Sequence, residues 1–132
     1  MKLLVDSDFL IALYKSDDSN HKKAVKIFKS LGKNYQFIAL NLVFQESTTV
    51  ISKKMGMDYA REFLAGIARL IVEKISLNQD LEIKTWKYFL QQTKKGTSFI
   101  DCANLIASQV YKLDGILSFD EFYGKLNIKR SD

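Results

Sequence analysis

Short apolar runs alternate with longer segments of helical periodicity, and this alternation restricts the possible folds more than any other feature of the sequence. Each run is too short for a helix and suits a buried parallel strand. Parallel strands need long crossover connections, which the helical segments between the runs supply. The sequence therefore predicts an α/β three-layer sandwich, in which helices flank a central parallel sheet. The predicted strands span residues 2–5, 35–40, 70–75 and 116–118.

The predicted helices begin at residues that often cap helices. Such side chains accept a hydrogen bond from a backbone amide of the first turn. The predicted caps are Ser7, Asn20, Asn41, Asn78 and Ser98. The predicted helices span residues 7–14, 20–32, 41–55, 56–68, 78–92 and 98–112. Because no repeat, low-complexity tract or linker interrupts this pattern, we assign residues 1–132 to one domain.

The charge balance favours a polyanionic partner without requiring one. The chain has 20 Lys and Arg against 15 Asp and Glu, a net charge of +5. An ordinary solvated basic surface would explain the same excess. The single Cys102 cannot form a disulfide within the chain, which favours a reducing cytoplasm. Asp6 and Asp8 interrupt the apolar N-terminus, and no run is long enough to span a membrane, so neither a signal peptide nor a membrane segment is expected.

Two acidic residues follow predicted strands. Asp6 comes directly after the first strand, and Asp120 comes two residues after the fourth. The carboxyl ends of parallel strands share one edge of the sheet, where open α/β sheets bind ligands. Either acid alone is also explained as a turn or capping residue.

Glu46 and Asp101 are the other candidate acids. Glu46 is predicted to lie on the apolar stripe of its helix, where a carboxylate needs a metal, a hydrogen bond or a lysine partner. Ser98 and Asp101 have the spacing of a capping box, which is a structural explanation for Asp101. Four carboxylates at one edge would repel one another unless a hard cation such as Mg²⁺ or Mn²⁺ bound there. The only histidine, His21, is expected on the solvated surface, and it cannot supply a pair of imidazoles for metal-free cleavage of RNA.

The order of these motifs resembles the PIN domain family. The resemblance rests on the segments LLVDSDFLIALY, NHKKA, Gln45-Glu46, TSFIDCANLIAS and ILSFDEFY, which together span almost the whole chain. Small single-domain members of the family look like the toxin of VapC-type toxin–antitoxin pairs. The resemblance implies a hydrolase, an endoribonuclease that depends on Mg²⁺ or Mn²⁺. It also implies an antitoxin partner and a sheet of order 3-2-1-4-5, with a fifth strand near residues 126–129.

The resemblance also assigns roles to residues of this chain. It places the catalytic and metal-binding quartet on Asp6, Glu46, Asp101 and Asp120. Glu46 would either bind the metal or orient the attacking water. Further candidates beside this quartet are Asp8, Ser118 and Glu121.

A homodimer is expected from the same resemblance. Apolar and aromatic helix residues, not all of which a small domain is expected to bury, support this expectation. These residues are Phe9, Leu13, Tyr14, Phe63 and Ile67.

Two other functions stay open on the sequence. Asp6-Ser7-Asp8 after a first strand resembles the D-x-D motif of haloacid-dehalogenase-type phosphatases, although Leu10 stands where that motif has Thr or Val. The same fold could also serve as a non-catalytic RNA-binding or protein-binding module.

Overall fold

In the computed structural model, which describes residues 1–124, a parallel sheet lies at the centre of the fold. Its strands are β1 (Lys2–Val5), β2 (Gln36–Leu40), β3 (Glu73–Ile75) and β4 (Gly115–Leu117). All neighbours are parallel, in the order β3-β2-β1-β4. The predicted parallel sheet is confirmed with four strands. The fifth strand expected at residues 126–129 lies outside the described residues.

Helices connect and flank the strands. They are α1 (Ser7–Tyr14), α2 (His21–Leu31), α3 (Asn41–Met55), α4 (Met57–Leu70), α5 (Gln79–Leu90), α6 (Phe99–Val110) and α7 (Glu121–Gly124). Helix α1 packs against α2 and α3, α3 packs against α4, and α5 packs against α6. The predicted α/β class is therefore confirmed, and the short helix α7 is an element that the sequence pattern did not indicate. Among residues 1–124, no helix is long and apolar enough to cross a membrane.

The central strands are buried, as their unbroken apolar runs indicate. Leu3, Leu4 and Val5 of β1 are buried, and so is every residue of β4. Alternating exposure is absent because helices cover both faces of a parallel sheet in this class of fold. The core therefore lies along β1, β2 and β4.

Two of the predicted helix caps are present. The Asn78 side chain accepts a hydrogen bond from Leu81 N (2.9 Å) at the start of α5. Ser98 and Asp101 form the predicted capping box at the start of α6. These caps depend only on local spacing, which explains why the sequence reveals them.

The other three predicted caps form no side-chain capping bond, although Asn20 does stand at the N-cap position of α2. Helix α1 is capped by Asp6 instead of Ser7. The Asn41 side chain accepts a hydrogen bond from Leu77 N (3.0 Å), and Asn20 makes no side-chain cap bond. The bond between Asn41 and Leu77 joins residues 36 positions apart, so local sequence cannot predict it.

The third strand is shorter than predicted. Helix α4 continues to Leu70, and the amide of Ile71 still donates to the carbonyl of Ile67 (2.8 Å). The Val72 amide then bonds to the Phe37 carbonyl (2.9 Å), ahead of the paired residues 73–75.

Three of the five residues that supported the expected homodimer are buried. Phe9, Phe63 and Ile67 are buried within the chain itself. Leu13 is half-buried, and Tyr14 is 42% exposed. A homodimer therefore stays a prediction that these buried residues do not support.

Candidate active site

Five carboxylates line one cavity beside the carboxyl ends of β1 and β4. Val5 and Leu117 are paired at these ends, and the Asp6 amide extends the ladder by donating to the Leu117 carbonyl (3.0 Å). The cavity has a volume of about 260 Å³. The carboxylates that line it belong to Asp6, Asp8, Glu46, Asp101 and Asp120. The fold thus brings the four quartet residues and Asp8 together from positions far apart in sequence.

Asp6 is the buried centre of this cluster, with only 5% of its surface exposed. Its Oδ1 accepts hydrogen bonds from Ser7 N (2.8 Å) and Asn104 Nδ2 (3.1 Å), while Oδ2 accepts one from Ser118 Oγ (2.9 Å). Burial, together with the negative charge of the neighbouring Asp8 carboxylate, raises the pKa of Asp6 to about 8. These hydrogen bonds hold both oxygens of the Asp6 carboxylate in place. Burial nevertheless leaves its negative charge poorly solvated.

Ser118 joins two of the acids. Its hydroxyl donates to Asp6 and also lies 3.3 and 3.2 Å from the two carboxylate oxygens of Asp8. A serine hydroxyl has one proton, so the two carboxylates share a single donor. The amide of Phe119 also donates to Asp8 (3.0 Å), and burial raises the pKa of Asp8 to about 6. Asp8 and Ser118, both candidates from sequence, therefore lie within the acid cluster.

Asp101 and Asp120 each combine a capping bond with a place in the cavity. Asp101 Oδ2 accepts from the Ser98 amide (3.4 Å), and Asp120 Oδ1 accepts from the Phe122 amide (2.9 Å) at the start of α7. Burial raises the pKa of Asp101, and the charge of Asp120 adds to this effect. The capping role and the cavity role proposed from sequence are compatible, because the capping bonds leave both acids facing the cavity.

Glu46 reaches the cavity, but its predicted burial is wrong. The buried residues of α3 are Val43, Ser47 and Ile51, and Glu46 is exposed at the edge of this stripe. Its neighbour Val50, one turn further along α3, is half-buried and lines the cavity beside it. No ion pair between Glu46 and a lysine occurs within residues 1–124.

Asn104 and Tyr123 are site residues that the sequence argument missed. Asn104 is completely buried in α6, and its Nδ2 donates to Asp6 Oδ1 and to the Tyr123 hydroxyl (both 3.1 Å). The Tyr123 hydroxyl in turn lies 3.3 Å from the Asp101 carbonyl and 3.4 Å from its carboxylate. This chain of hydrogen bonds connects two of the acids behind the cavity. Its only signal in the sequence is an amide within an otherwise apolar stretch of α6.

The last candidate from the sequence, Glu121, does not line the cavity, and neither do the histidine and the cysteine. Glu121 is exposed in the first turn of α7. His21 is half-buried instead of solvated, and its Nδ1 lies 2.7 Å from the Ala12 carbonyl. Cys102 is completely buried and serves as a packing residue, and its burial raises the pKa of the thiol to about 11.

The chemistry of the donor set fits a hard divalent cation. Every titratable side chain that lines the cavity within residues 1–124 is a carboxylate, and oxygen ligands are those that Mg²⁺ and Mn²⁺ prefer. A cation would also relieve the repulsion that raises the pKa of Asp6 and Asp101. In this part of the chain no three acidic, histidine or cysteine side chains are arranged so that they could hold a metal ion without moving. The cavity therefore suits a divalent cation through the type and charge of its ligands, and not through a preformed coordination geometry.

Comparisons by sequence and by structure give different results. Neither a protein-family model nor a curated protein matches the sequence. Among solved structures, Mycobacterium tuberculosis VapC20, a sarcin-ricin loop cleaving toxin, is 20% identical over 96% of each chain, with a TM-score of 0.86. VapBC2 from Rickettsia felis, bound to a DNA fragment from its promoter, is 12% identical over 100% of each chain, with a TM-score of 0.74.

A third similar structure is a toxin–antitoxin complex from Klebsiella pneumoniae. It is 16% identical over 92% of this chain and 88% of the other, with a TM-score of 0.65. These identities are low, whereas the backbone similarity extends over nearly the whole of each chain. The chain therefore has the α/β fold of these VapC and toxin–antitoxin structures.

Proposed function

We propose that this chain is a metal-dependent endoribonuclease that hydrolyses RNA phosphodiester bonds. The observation that carries the proposal is the gathering of five carboxylates in one cavity, in a fold shared with a toxin that cleaves the sarcin-ricin loop. A non-catalytic binding module has no evident need for acids where the phosphates of RNA would lie.

In the proposed mechanism, Asp6, Asp101 and Asp120 would hold Mg²⁺ or Mn²⁺. When bound, one such cation would lower the pKa of a water molecule, and a second, where present, would stabilise the leaving oxygen of the scissile phosphodiester. Glu46, which is exposed at the cavity, accepts the proton of the attacking water. Ser118 and Asn104 hold the Asp6 carboxylate in one orientation, so the metal-binding oxygens are fixed before metal arrives.

The test is cleavage of labelled RNA by the purified chain. A hairpin carrying the sarcin-ricin loop and an unstructured RNA of equal length are incubated with Mn²⁺, with Mg²⁺ or with EDTA. We expect cleavage only with metal, and its loss in Asp101→Asn and Asp120→Asn. Asp58→Asn, which removes an exposed acid of α4, is the matched control and should cleave normally.

Metal binding gives a second measurement on the same proteins. By linkage, Mn²⁺ should raise the melting temperature of the wild type more than that of Asp101→Asn or Asp120→Asn. Cleavage that persists in EDTA, or full activity in both variants, would contradict the proposal. Hydrolysis of a phosphate monoester without cleavage of RNA would favour the phosphatase. RNA binding with neither metal binding nor cleavage would favour the binding module.

We further propose that the chain is the toxin of a toxin–antitoxin pair and acts in the cytoplasm. Two of the structural neighbours were solved as complexes of this type. Expression of the wild type should arrest growth of a bacterial host, and expression of Asp101→Asn should not. Light scattering at micromolar concentration tests the expected homodimer, which a monomeric mass would contradict.

A further inference from the structure

The acid cavity needs a positive surface nearby if its substrate is RNA. Within residues 1–124 the cavity is lined by carboxylates, without any lysine or arginine. Each RNA phosphate carries a negative charge, and Lys and Arg side chains supply most of the sequence-independent binding energy. The cations that hold the RNA must therefore project from neighbouring elements.

Among residues 1–124, helix α2 meets this requirement. It carries Lys22, Lys23, Lys26 and Lys29, all exposed, and it contains no acidic residue. None of the four forms an ion pair within the described part of the chain. These four residues are called the α2 lysine face below.

The α2 lysine face has a defined shape. Lys22, Lys26 and Lys29 lie on one side of the helix and border a shallow groove of about 380 Å³ with Val25 and His21. A rise of about 1.5 Å per residue places Lys22 and Lys29 roughly 10 Å apart along the helix. The lysines thus form a row that a flexible strand can follow, instead of a single cluster.

Lys23 connects this row to the acid cavity. Its Nζ lies 5.9 Å from the centre of the Phe119 ring, within the range of a cation–π contact. Phe119 lies between Ser118 and Asp120 in sequence, and its amide donates to Asp8 (3.0 Å). The Phe119 ring also stacks on Phe9, with centroids 5.7 Å apart. Lys23 therefore extends over a residue that is fixed to the rim of the cavity.

The position of α2 is also fixed. The His21 ring, in the first turn of α2, lies with Nδ1 2.7 Å from the Ala12 carbonyl of α1. Helix α1 begins at Ser7 and carries the cavity residue Asp8. This contact ties the start of the lysine row to the helix that follows Asp6.

We propose that the α2 lysine face binds the phosphates of an RNA strand as it leaves the acid cavity, with Lys23 holding the phosphate nearest the reaction. This inference rests on the proposed ribonuclease function and adds the path of the substrate. Lysine acts as a point charge on phosphate and does not distinguish bases. The surface should therefore strengthen binding of every RNA sequence equally.

The experiment compares two triple variants that remove the same charge. Lys22→Gln/Lys26→Gln/Lys29→Gln changes the α2 lysine face, and Lys23→Gln is made separately. The control, Lys53→Gln/Lys54→Gln/Lys87→Gln, removes three exposed lysines from α3 and α5. Binding of a labelled single-stranded RNA is measured by fluorescence anisotropy in EDTA, over a range of salt concentrations.

The salt dependence gives the expected magnitude. For single strands, the slope of log K against log salt changes by about 0.7 for each phosphate contact. The magnitude of the slope should therefore fall by about 2 in the α2 triple variant and by about 0.7 in Lys23→Gln. The control should have the wild-type slope. If RNA binds only with metal, the same slopes are taken from kcat/KM for cleavage in Mn²⁺.

A small substrate separates this inference from the proposed function. Bis(p-nitrophenyl) phosphate carries a single phosphate and cannot extend along α2, so the α2 triple variant should hydrolyse it at the wild-type rate while cleaving RNA more slowly. A wild-type salt slope in the α2 triple variant, or a loss as large in the control, would overturn the inference. Failure of the wild type to hydrolyse either substrate would instead contradict the proposed function, and the anisotropy result would still decide whether α2 binds RNA.

Discussion

Replacement of Asp6 by Asn should change how stability depends on pH when no metal is present. The variant keeps the hydrogen bonds of the site. The Asn side-chain oxygen can accept from Ser7 N and Asn104 Nδ2, as Asp6 Oδ1 does. Its Nδ2 replaces Oδ2 and can donate to the Ser118 hydroxyl, whose own proton then turns toward Asp8. The substitution thus removes a titrating group with little change in packing.

The magnitude follows from the raised pKa of Asp6, which lies at about 8 in the folded chain against 3.8 for an ordinary Asp. Between these values the folded state holds a proton that the unfolded state has released. Stability from this group is thus complete below about pH 4 and is lost as the pH rises toward 8, at about 1.36 kcal/mol per pH unit. From pH 5 to pH 7 the loss is about 3 kcal/mol, and Asp6→Asn should not show it.

The assay is urea unfolding followed by circular dichroism at pH 5, 6 and 7, with EDTA present throughout. The free energy of unfolding of Asp6→Asn, relative to the wild type, should rise by about 3 kcal/mol across this range, with unchanged m-values. Asp58→Asn, which removes an exposed carboxylate, controls for the loss of one negative charge. Parallel pH profiles for the wild type and Asp6→Asn would refute the argument that burial makes ionisation of Asp6 costly.

Three further substitutions test other parts of the structure. Glu46→Gln should lower RNA turnover by about 10²-fold or more. It should not change the melting temperature, because the side chain is exposed. Normal turnover would remove Glu46 from the site. Tyr123→Phe should lower the free energy of unfolding by about 1–3 kcal/mol, because Asn104 Nδ2 loses a buried acceptor; an unchanged urea midpoint would contradict this. Gly66→Ala should destabilise the chain, since its Cβ would lie 2.8 Å from the Tyr14 ring. In a Tyr14→Ala background, where that ring is absent, the same change should stabilise the chain by up to about 1 kcal/mol through helix propensity.

The parts of the fold that the sequence predicts are those determined by local spacing. The apolar runs that became β1 and β4 are unbroken because both faces of these strands are buried. The Asn78 cap and the capping box of Ser98 and Asp101 depend on residues three positions apart. Each of these features is decided within one turn of helix or one short strand, so tertiary contacts do not change it.

The failed predictions concern residues whose partners are distant in sequence. Asn41 is a good capping residue by composition, but the amide of Leu77 competes for its side chain. His21 follows a polar loop and precedes two lysines, yet its ring packs against the Ala12 carbonyl of the preceding helix. Glu46 was placed in the core by its apolar neighbours, but the helix turns Val43, Ser47 and Ile51 inward. The burial of Glu46 depends on which face of α3 packs against the core. Apolar periodicity predicts that face only to within about one residue.

In the candidate site, too, some residues were predictable from the sequence and others were not. The acids were identifiable because Asp6 and Asp120 follow strands of a parallel sheet, where topology alone brings them to one edge. The residues that hold the acids were not identifiable in this way. Asn104 is separated from Asp6 by 98 positions, and its amide is useful only because Tyr123 brings a hydroxyl to the same point. An amide on the buried face of a helix costs stability unless partners are present, so Asn104 is itself a signal that a polar network lies behind that face. The sequence thus indicates which chemistry the cavity contains, whereas the hydrogen bonds that orient its carboxylates become visible only when the chain is folded.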